Sequence, residues 1–320
     1  MRYRVGVDLG GTYVKIGLVD ETYRILTHSM IPTHTERTPE EILTAIATEV
    51  LRLLAQENIP HTEVEGVGIG SPGVIESKTG TVIYSNNFSW ENVPVHSMLE
   101  KILSLPVRIA NDAQCAALGE AVAGTGKGCK NLILITLGTG VGSGIVLNGR
   151  IFDGANPGGG VAGHMVIHRG GELCSCGKRG CLEAYASATA LIRDMKRVVQ
   201  KQQESPLGKK WFHRQEEIEA KTAFDEAAEG DGLAQELIAH YEEALADGIA
   251  NLIDIFRPDK VLLGGGVSNQ GTALTDTINE LLKTRCFGGD LLDIPPVAPA
   301  FLGNKAGMIG AAALCETEKE

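Results

Sequence analysis

The sequence lacks any apolar run close to the roughly 20 residues needed to span a bilayer, so we expect no membrane-spanning helix and no membrane partner. Basic residues are also in deficit, since 29 Lys and Arg stand against 40 Asp and Glu, for a formal net charge of −11. That balance argues against a protein that coats duplex nucleic acid. Prolines number only 12 and 43% of the residues are hydrophobic, which excludes a collagen-like or disordered chain.

The N-terminus and the cysteines both bear on cellular location. Residues 1–4 lead directly into a strand pattern, without the apolar core of a signal peptide. The seven cysteines are an odd number in a long chain, which fits a reducing compartment better than a disulfide framework. We therefore expect a cytoplasmic protein with no nucleic-acid partner.

Glycine is the residue in excess. Forty of the 320 residues are glycine, against an average of about 7%, and they follow no Gly-X-Y period. Fourteen of them lie between Thr136 and Gly180, so the excess is local. A chain of this length suggests two domains, and the clustering predicts glycine-rich loops at a ligand site.

Strand and helix patterns alternate and then begin again halfway along the chain. Tyr3–Asp8 has the period-two pattern of a strand and is followed by a glycine turn and a second strand, Val14–Asp20. The same order returns with a strand at Leu132–Thr136, a glycine turn at Leu137–Gly144 and a strand at Ile145–Leu147. The repetition predicts an internally duplicated α/β protein with a cleft between its halves.

Helices are predicted by capping signals and by apolar spacing. Thr38, Pro39 and Glu41 have the pattern of a capping box. Helical periodicity dominates from 182 to 256, with an interruption at the polar stretch Lys201–Lys210. We expect the Ala-rich final helix, Lys305–Cys315, to return to the N-terminal half and make that domain discontinuous.

Two glycine turns have the features of phosphate-binding loops. Glycines allow the backbone to approach a ligand closely, and consecutive free N–H groups form an anion-binding concavity. Neither turn matches a Walker A loop or a dinucleotide fingerprint. A pair of tight hairpins is the alternative, but two such turns and a third glycine run at 264–266 favour phosphate binding. The residues concerned are Gly10, Gly11 and Thr12 in the first turn and Gly138, Thr139 and Gly140 in the second.

Two aspartates stand at the ends of predicted strands. Asp8, beside the first turn, is suited to holding Mg²⁺ through water, although an aspartate there can also cap its own turn. Asp112 follows Asn111 at the end of another strand, where α/β sheets place ligands. There it could accept a proton from a substrate hydroxyl that attacks a phosphoryl group. Asn-Asp is equally a common pair at a helix start.

One imidazole and three thiols form a candidate metal site. His164 is followed by Cys174, Cys176 and Cys181, a Cys₃His set suited to tetrahedral, structural Zn²⁺. Unpaired buried thiols are the alternative. His168 competes with His164 as the fourth ligand, and spacing alone does not separate the two.

Taken together, these motifs resemble the ROK family of sugar kinases, within the actin/hexokinase-like ATPase fold. The resemblance spans essentially the whole chain, and the cysteine run after Gly163-His164 is its most specific part. It implies two actin/hexokinase-like (ribonuclease H-like) α/β domains that flank a cleft, and a homodimer. We place the smaller domain at residues 1–112 plus 304–320 and the larger, zinc-bearing domain at 113–303. The motifs are Asp8–Lys15, Asn111–Glu120, Leu137–Gly144, Gly163–His164, Cys174–Glu183 and Leu263–Val267.

The resemblance also implies roles for individual residues. Asp112 would be the base that deprotonates a sugar hydroxyl for attack on the γ-phosphate of ATP. His164 would bind zinc through one ring nitrogen and the sugar through the other. The two turns, with Asp8 and Lys15, would hold the Mg²⁺-bound triphosphate, and Gly265 and Gly266 would lie near the adenosine. The implied sugar-binding residues are Asn87, Asn111, Asp112, His164 and Glu183.

Position 161 departs from the family pattern. Members that phosphorylate glucose usually have a glutamate three residues before the histidine, whereas this chain has Val161. Loss of a charge-assisted hydrogen bond costs about 1.5–3 kcal/mol, so we expect sugar affinity to be weakened roughly tenfold to 150-fold while phosphoryl transfer is retained.

Three functions follow from these features. The first is an ATP-dependent hexose kinase, glucokinase-like, with an N-acetylglucosamine or N-acetylmannosamine kinase as its variant. The second is a sugar-responsive repressor. Repressors of this kind carry an N-terminal winged helix, whereas here the phosphate turn begins near residue 8, which argues against this function. The third is a non-catalytic sugar-binding protein, which the retained Asp8 and Asp112 disfavour.

Overall fold

The structure is a computed structural model that describes residues 2–316, and the predicted extension of the smaller domain to residue 320 lies partly outside them. Within that range the chain is mixed α/β. The strands are β1 (Tyr3–Leu9), β2 (Tyr13–Asp20), β3 (Ile25–Pro32), β4 (Val64–Ser71), β5 (Val74–Glu76), β6 (Thr81–Ser85), β7 (Trp90–Val93), β8 (Val107–Asn111), β9 (Leu132–Leu137), β10 (Val141–Leu147), β11 (Arg150–Ile151), β12 (Lys260–Gly264) and β13 (Val297–Pro299).

The helices lie mostly after the strands and in the second half of the chain. None of those in the described range is long and apolar enough to cross a membrane. They are α1 (Pro39–Gln56), α2 (Val95–Leu103), α3 (Asp112–Ala123), α4 (Glu183–Ala186), α5 (Ala188–Lys201), α6 (Pro206–Trp211), α7 (Ala220–Ala228), α8 (Gly232–Phe256), α9 (Thr272–Arg285) and α10 (Ala306–Ala313).

The strands form two five-stranded sheets and one small hairpin sheet. The first sheet has the order β3-β2-β1-β4-β8, and the second has the order β11-β10-β9-β12-β13. In the first sheet β1 is antiparallel to β2 but parallel to β4, which is parallel to β8. In both large sheets two consecutive strands joined by a glycine turn are neighbours, β1 with β2 and β9 with β10, as the duplicated sequence pattern predicts.

The chain divides into two compact units. The first consists of Met1–Leu134, Gly144–Gly160 and Ala300–Glu320, and the second of Ile135–Ser143 and Val161–Pro299. The boundary between them passes through β9 and β10. The first unit thus includes the closing helix α10. The division that we drew at residue 112 from the sequence stays a prediction.

Helix α10 lies against the first sheet at very short range. A Cβ added to Gly6 of β1 would meet the Met308 carbonyl oxygen at 1.9 Å, and one added to Gly68 of β4 would meet the Ala311 carbonyl oxygen at 1.7 Å. Only glycine leaves room for a helix backbone at that distance. These glycines therefore seat the C-terminal helix on the strands that carry Asp8 and Ser71.

Local signals gave most element positions correctly. Thr38 caps α1 with the predicted capping box. The second glycine turn is shorter than predicted, because β10 already begins at Val141. Within the polar stretch Lys201–Lys210 the chain forms the short helix α6, capped by Ser205. The hairpin sheet β5–β7 was not predicted.

Candidate active site

The first cluster of site residues lies where parallel strands of the first sheet end. Asp8 pairs in register with Gly70, and Gly70 pairs with Ala110. Asp8 is therefore aligned across the sheet with Ala110, which is two residues before Asp112. The parallel strands β1, β4 and β8 thus bring both predicted aspartates to one edge of the sheet, the edge at which such sheets bind ligands.

Asp112 is the first residue of α3, and Asn111 is its N-cap. The Asn111 side chain accepts hydrogen bonds from the backbone N–H groups of Ala113 at 3.0 Å and Gln114 at 3.4 Å, and its Nδ2 donates to the Gly73 carbonyl at 3.1 Å. The helix-start interpretation of this pair is therefore correct. It also leaves Asp112 anchored on a helix, with Oδ1 accepting from the Ala113 N–H at 2.9 Å.

Burial raises the pKa of Asp112 above the usual aspartate value. The nearby Asp8 carboxylate adds to this rise, and the Ala113 N–H opposes it. Desolvation and like charge both disfavour the ionised form. A carboxylate with a raised pKa holds a proton more strongly, which suits a general base.

Asp8 forms an ion pair within its own hairpin. Its Oδ2 lies 3.1 Å from Lys15 Nζ, and the two residues are directly opposite each other on β1 and β2. Gly307 of α10 faces this carboxylate, since a Cβ there would lie 3.1 Å from Asp8 Cγ. In the adjoining first turn, a Cβ at Gly11 would lie 3.5 Å from Asn87 Nδ2. Gly11, predicted to bind the nucleotide, and Asn87, predicted to bind the sugar, are thus neighbours.

The second glycine turn is braced from α5. Thr189 Oγ1 donates to the Thr139 carbonyl at 2.7 Å, and the Ala188 N–H donates to the Gly138 carbonyl at 2.8 Å. Gly265 has a φ of 86°, and a Cβ there would lie 2.5 Å from the Leu137 carbonyl oxygen. The glycine run 264–266 therefore packs against the strand that enters the turn. Gly266 has open space around its Cβ position.

Glu183 connects the second turn to the cysteine run. Its Oε2 accepts from the Val141 N–H at 3.0 Å, and its Oε1 accepts from Ser175 Oγ at 2.6 Å. Burial acts to raise its pKa, but the hydrogen bonds from Ser175, Val141 and Cys174, together with the charge of His164, lower it overall. A Cβ at Gly140 would lie 2.4 Å from Glu183 Oε2, so a larger residue there would displace this carboxylate. Ser175 was not identified from the sequence as a partner of Glu183, because the only signal at this serine is its position between two cysteines.

The thiols and the imidazole converge as a metal site requires. The ligand atoms of His164, Cys174, Cys176 and Cys181 all lie within 4.8 Å of one another. Cys176 Sγ is 3.7 Å from Cys181 Sγ, and Cys174 Sγ is 3.6 Å from His164 Nδ1. Tetrahedral zinc with ordinary bond lengths separates two thiolates by about 3.8 Å and a thiolate from an imidazole nitrogen by about 3.6 Å.

The donor set therefore fits zinc, and His164 rather than His168 completes it. The His168 ring instead lies beside Tyr185, with 6.0 Å between ring centroids. Lys178 Nζ donates to the His164 carbonyl at 2.8 Å, which ties the cysteine loop to the histidine segment. Burial raises the pKa of Cys174, whereas the Lys178 N–H lowers that of the exposed Cys176.

Val161 precedes the short 3₁₀ turn Ala162–His164. Its side chain is 57% exposed, so the apolar residue is not explained by packing. The turn itself is fixed by a hydrogen bond of 2.8 Å from the Ala162 N–H to Ser143 Oγ. A larger residue at Gly163 would meet the Val141 carbonyl at 2.0 Å.

Aspartates at the ends of parallel strands, paired glycine turns and a closing helix on the first sheet define an α/β protein of the actin/hexokinase-like class. Solved structures agree. A ROK hexokinase from Thermus thermophilus superimposes with a TM-score of 0.83 at 31% identity, over 97% of this chain and 96% of that one. A ROK family glucokinase from Streptomyces griseus, solved with glucose and AMPPNP, gives a TM-score of 0.76 at 36% identity, over 98% of both chains.

Sequence comparison identifies the family within that class. The ROK family model matches residues 4–318. A glucokinase from Halalkalibacterium halodurans is 38% identical over 99% of this chain and 96% of its own length. This chain belongs to the ROK family, as its motifs predict.

Proposed function

We propose that this chain is an ATP-dependent hexose kinase and that its hexose is glucose, which it converts to glucose 6-phosphate. The observation that supports this most directly is Asp112, a half-buried carboxylate with a raised pKa at the edge of the first sheet where such sheets bind ligands. Its family and its similarity to a glucokinase solved with glucose and AMPPNP supply the substrate classes.

In this proposal Asp112 is the general base. It accepts the proton of the sugar O6 hydroxyl while that oxygen forms a bond to the γ-phosphorus and the bond from phosphorus to the ADP oxygen breaks. Phosphoryl transfer depends mainly on positioning and electrostatics. Asn111 contributes to positioning because its side chain caps α3 at the residue before the base.

The nucleotide is assigned to the glycine turns. They are Gly10, Gly11 and Thr12 on the first unit and Gly138, Thr139 and Gly140 on the second. The N–H groups of Gly10 and Gly138 already donate to the Tyr13 and Gly140 carbonyls, so the other residues of each turn would supply the donors to phosphate. Asp8 is a hard oxygen donor suited to Mg²⁺ held through water, and the ion would neutralise phosphate charge. Lys15, 3.1 Å from Asp8, adds a positive charge beside the first turn. Gly265 and Gly266 are assigned to the adenosine.

Sugar hydroxyls are assigned to Asn87, Asn111, His164 and Glu183. His164 Nδ1 faces Cys174, which leaves Nε2 for the sugar. The Cys₃His set would hold zinc in a closed, four-ligand site, so the ion would order the loop and take no part in the reaction. The homodimer and the cytoplasmic location stay predictions.

A panel of sugars tests the proposal. ADP release is coupled to NADH oxidation with glucose, mannose, N-acetylglucosamine and N-acetylmannosamine in turn. We expect the highest kcat/KM with glucose. A higher value with an N-acetylhexosamine would overturn the substrate, and no ADP release with any sugar would overturn the kinase assignment in favour of a sugar-binding protein.

A further inference from the structure

One cavity in the first unit is lined by none of the glycine-turn residues. It has a volume of about 320 Å³, within the range of small-molecule sites. One wall is β8, which is an edge strand of the first sheet. Other walls are the turn between β5 and β6, which carries Lys78, and the short strand β11, which carries Arg150.

Three cations line this cavity although the chain as a whole is acidic. They are Lys78, Arg108 and Arg150, and the formal charge of the whole chain is −11. Arg108 is half-buried and donates to the Val107 carbonyl at 3.1 Å. Within residues 2–316, the Lys78 ammonium and the Arg150 guanidinium have no ion-pair partner. Both charges are therefore available to a ligand.

One acid is present, and it is already engaged. The Asp153 carboxylate accepts a hydrogen bond from Ser77 Oγ at the rim of the same cavity. Lys78 and Arg150 alone therefore exceed this acid by one charge. Guanidinium groups present several N–H donors in a planar fork that matches phosphate oxygens, and an ammonium adds a point charge.

The remaining surface of the cavity is apolar, with one amide. Ile109, Ile151 and Leu314 supply carbon surface, which can accept the carbon face of a ring. Gln114 uses its Oε1 to accept from the Asn111 N–H at 3.3 Å, so its amide N–H₂ can donate to a ligand hydroxyl. An inorganic ion alone would leave this surface unused.

We propose that this cavity is a binding site for a phosphorylated small molecule of hexose-phosphate size, separate from the nucleotide and sugar residues assigned above. The phosphate lies among Lys78, Arg108 and Arg150, and the carbon skeleton lies on Ile109, Ile151 and Leu314. This inference does not depend on which reaction the chain catalyses, because none of these residues has a role in the proposed transfer.

Chemical protection of Lys78 tests the site at its own residue. The intact protein is acetylated with a water-soluble N-hydroxysuccinimide ester, and the rate at each lysine is followed by peptide mass spectrometry. The ligands are glucose 6-phosphate, inorganic phosphate and glucose, at matched ionic strength because surface charges are screened by salt. With glucose 6-phosphate at ten times its Kd, acetylation of Lys78 should slow about elevenfold, since only the free fraction reacts.

Lys127 is the matched control within the same sample. It is exposed in the same unit and does not line the cavity, so its rate should not change. Glucose 6-phosphate bound at the proposed sugar site would not shield Lys78, which keeps this test separate from that of the kinase. In Arg150→Gln, we expect the ligand concentration for half protection to rise about tenfold.

Each outcome decides for or against the proposal. Protection by glucose 6-phosphate, with or without protection by inorganic phosphate, supports it, and the difference shows whether the carbon skeleton contributes. Protection by glucose alone, equal slowing of Lys78 and Lys127, or no protection overturns it. Unchanged protection in Arg150→Gln also overturns it, provided that the variant melts at the wild-type temperature.

Discussion

The segment around Asp112 and the segment from Val161 to Ala186 both carry proposed site residues, but they are held in place by different means. Asp112 begins a helix that packs against α10 backbone to backbone. A Cβ at Gly310 would lie 1.6 Å from the Cys115 carbonyl, and one at Gly119 would lie 2.3 Å from the Ala306 carbonyl. At such close range neither helix can shift without breaking many contacts.

The segment from Val161 to Ala186 has little packing of this kind. Its regular structure is one 3₁₀ turn, the single helical turn α4 and two isolated β-bridges. The buried cluster at its centre consists of Cys174, Cys181 and Ala184, with Tyr185 against it. A metal ion can supply the order that such a small core does not. The difference indicates that packing would position the proposed base, Asp112, and that a bound zinc ion would position the proposed sugar-binding residue, His164.

The largest expected effect is that of Asp112→Asn, which tests whether the segment around Asp112 supplies the catalytic base. We expect kcat to fall by about 10²–10⁴, the usual contribution of a general base, while AMPPNP binding is unchanged. The coupled assay measures kcat, and calorimetric titration measures AMPPNP binding. The exposed Asp225→Asn is the control. Near-normal turnover in Asp112→Asn would show that another group is the base.

The pH dependence of wild-type activity, and of the stability of Asp112→Asn relative to wild type, further tests Asp112 as the base. Since burial and Asp8 raise the Asp112 pKa, activity should begin to fall at a higher pH than an ordinary aspartate would give. A carboxyl whose pKa is raised by folding stabilises the protein below its unfolded pKa and loses that contribution as pH rises through the folded pKa. Asp112→Asn should therefore be at least as stable as wild type at pH 7, with the difference shrinking in acid.

Gly310→Ala tests the packing itself. The added methyl would overlap the Cys115 carbonyl, so we expect the free energy of unfolding to fall by about 1–3 kcal/mol or more. Gly232→Ala at the start of α8 is the matched control, because its Cβ position is open, and alanine there should be neutral or stabilising. Denaturant melts measure both. Equal stabilities would mean that the two helices are not in close contact.

Val161→Glu tests whether the metal-held region sets sugar affinity. A carboxylate in place of this exposed valine should restore a charge-assisted hydrogen bond to the sugar and raise kcat/KM for glucose roughly tenfold to 150-fold. Most of the gain should appear in KM. Val161→Gln, which is similar in size but uncharged, separates charge from shape. No change in either variant would remove position 161 from the account of specificity.

Cys176→Ser tests the metal with the smallest disturbance, because this thiol is exposed. Loss of one ligand should weaken zinc binding by about 10–100-fold or more and raise KM for the sugar, with nucleotide affinity retained. Zinc content by mass spectrometry and the sugar KM are the measurements, and Cys129→Ser, outside the cluster, is the control. A zinc-free wild-type protein with full activity would contradict the metal's role.

Features that depend on adjacent residues could largely be predicted from the sequence. Groupings of residues that are distant in the sequence could be predicted less well. The capping box at Thr38 and the alternation in β1 are properties of a few adjacent residues, so they could be located closely. The cysteine set was recognisable, but spacing alone did not separate His164 from His168. The family resemblance indicated His164, and the fold places its imidazole among the thiols. Ser175 and the cations at 78, 108 and 150 carry no motif. Their grouping depends on which strands become neighbours.

The packing of α10 also constrains how the chain is made. Strands β1 and β4 leave the ribosome early, but the helix that covers their glycines consists of residues 306–313, which are synthesised much later. The glycine-bearing face of the N-terminal sheet therefore remains uncovered until α10 has been synthesised. The second unit, whose segments are all upstream of residue 300, can finish folding first. In this protein the half synthesised first is the half completed last.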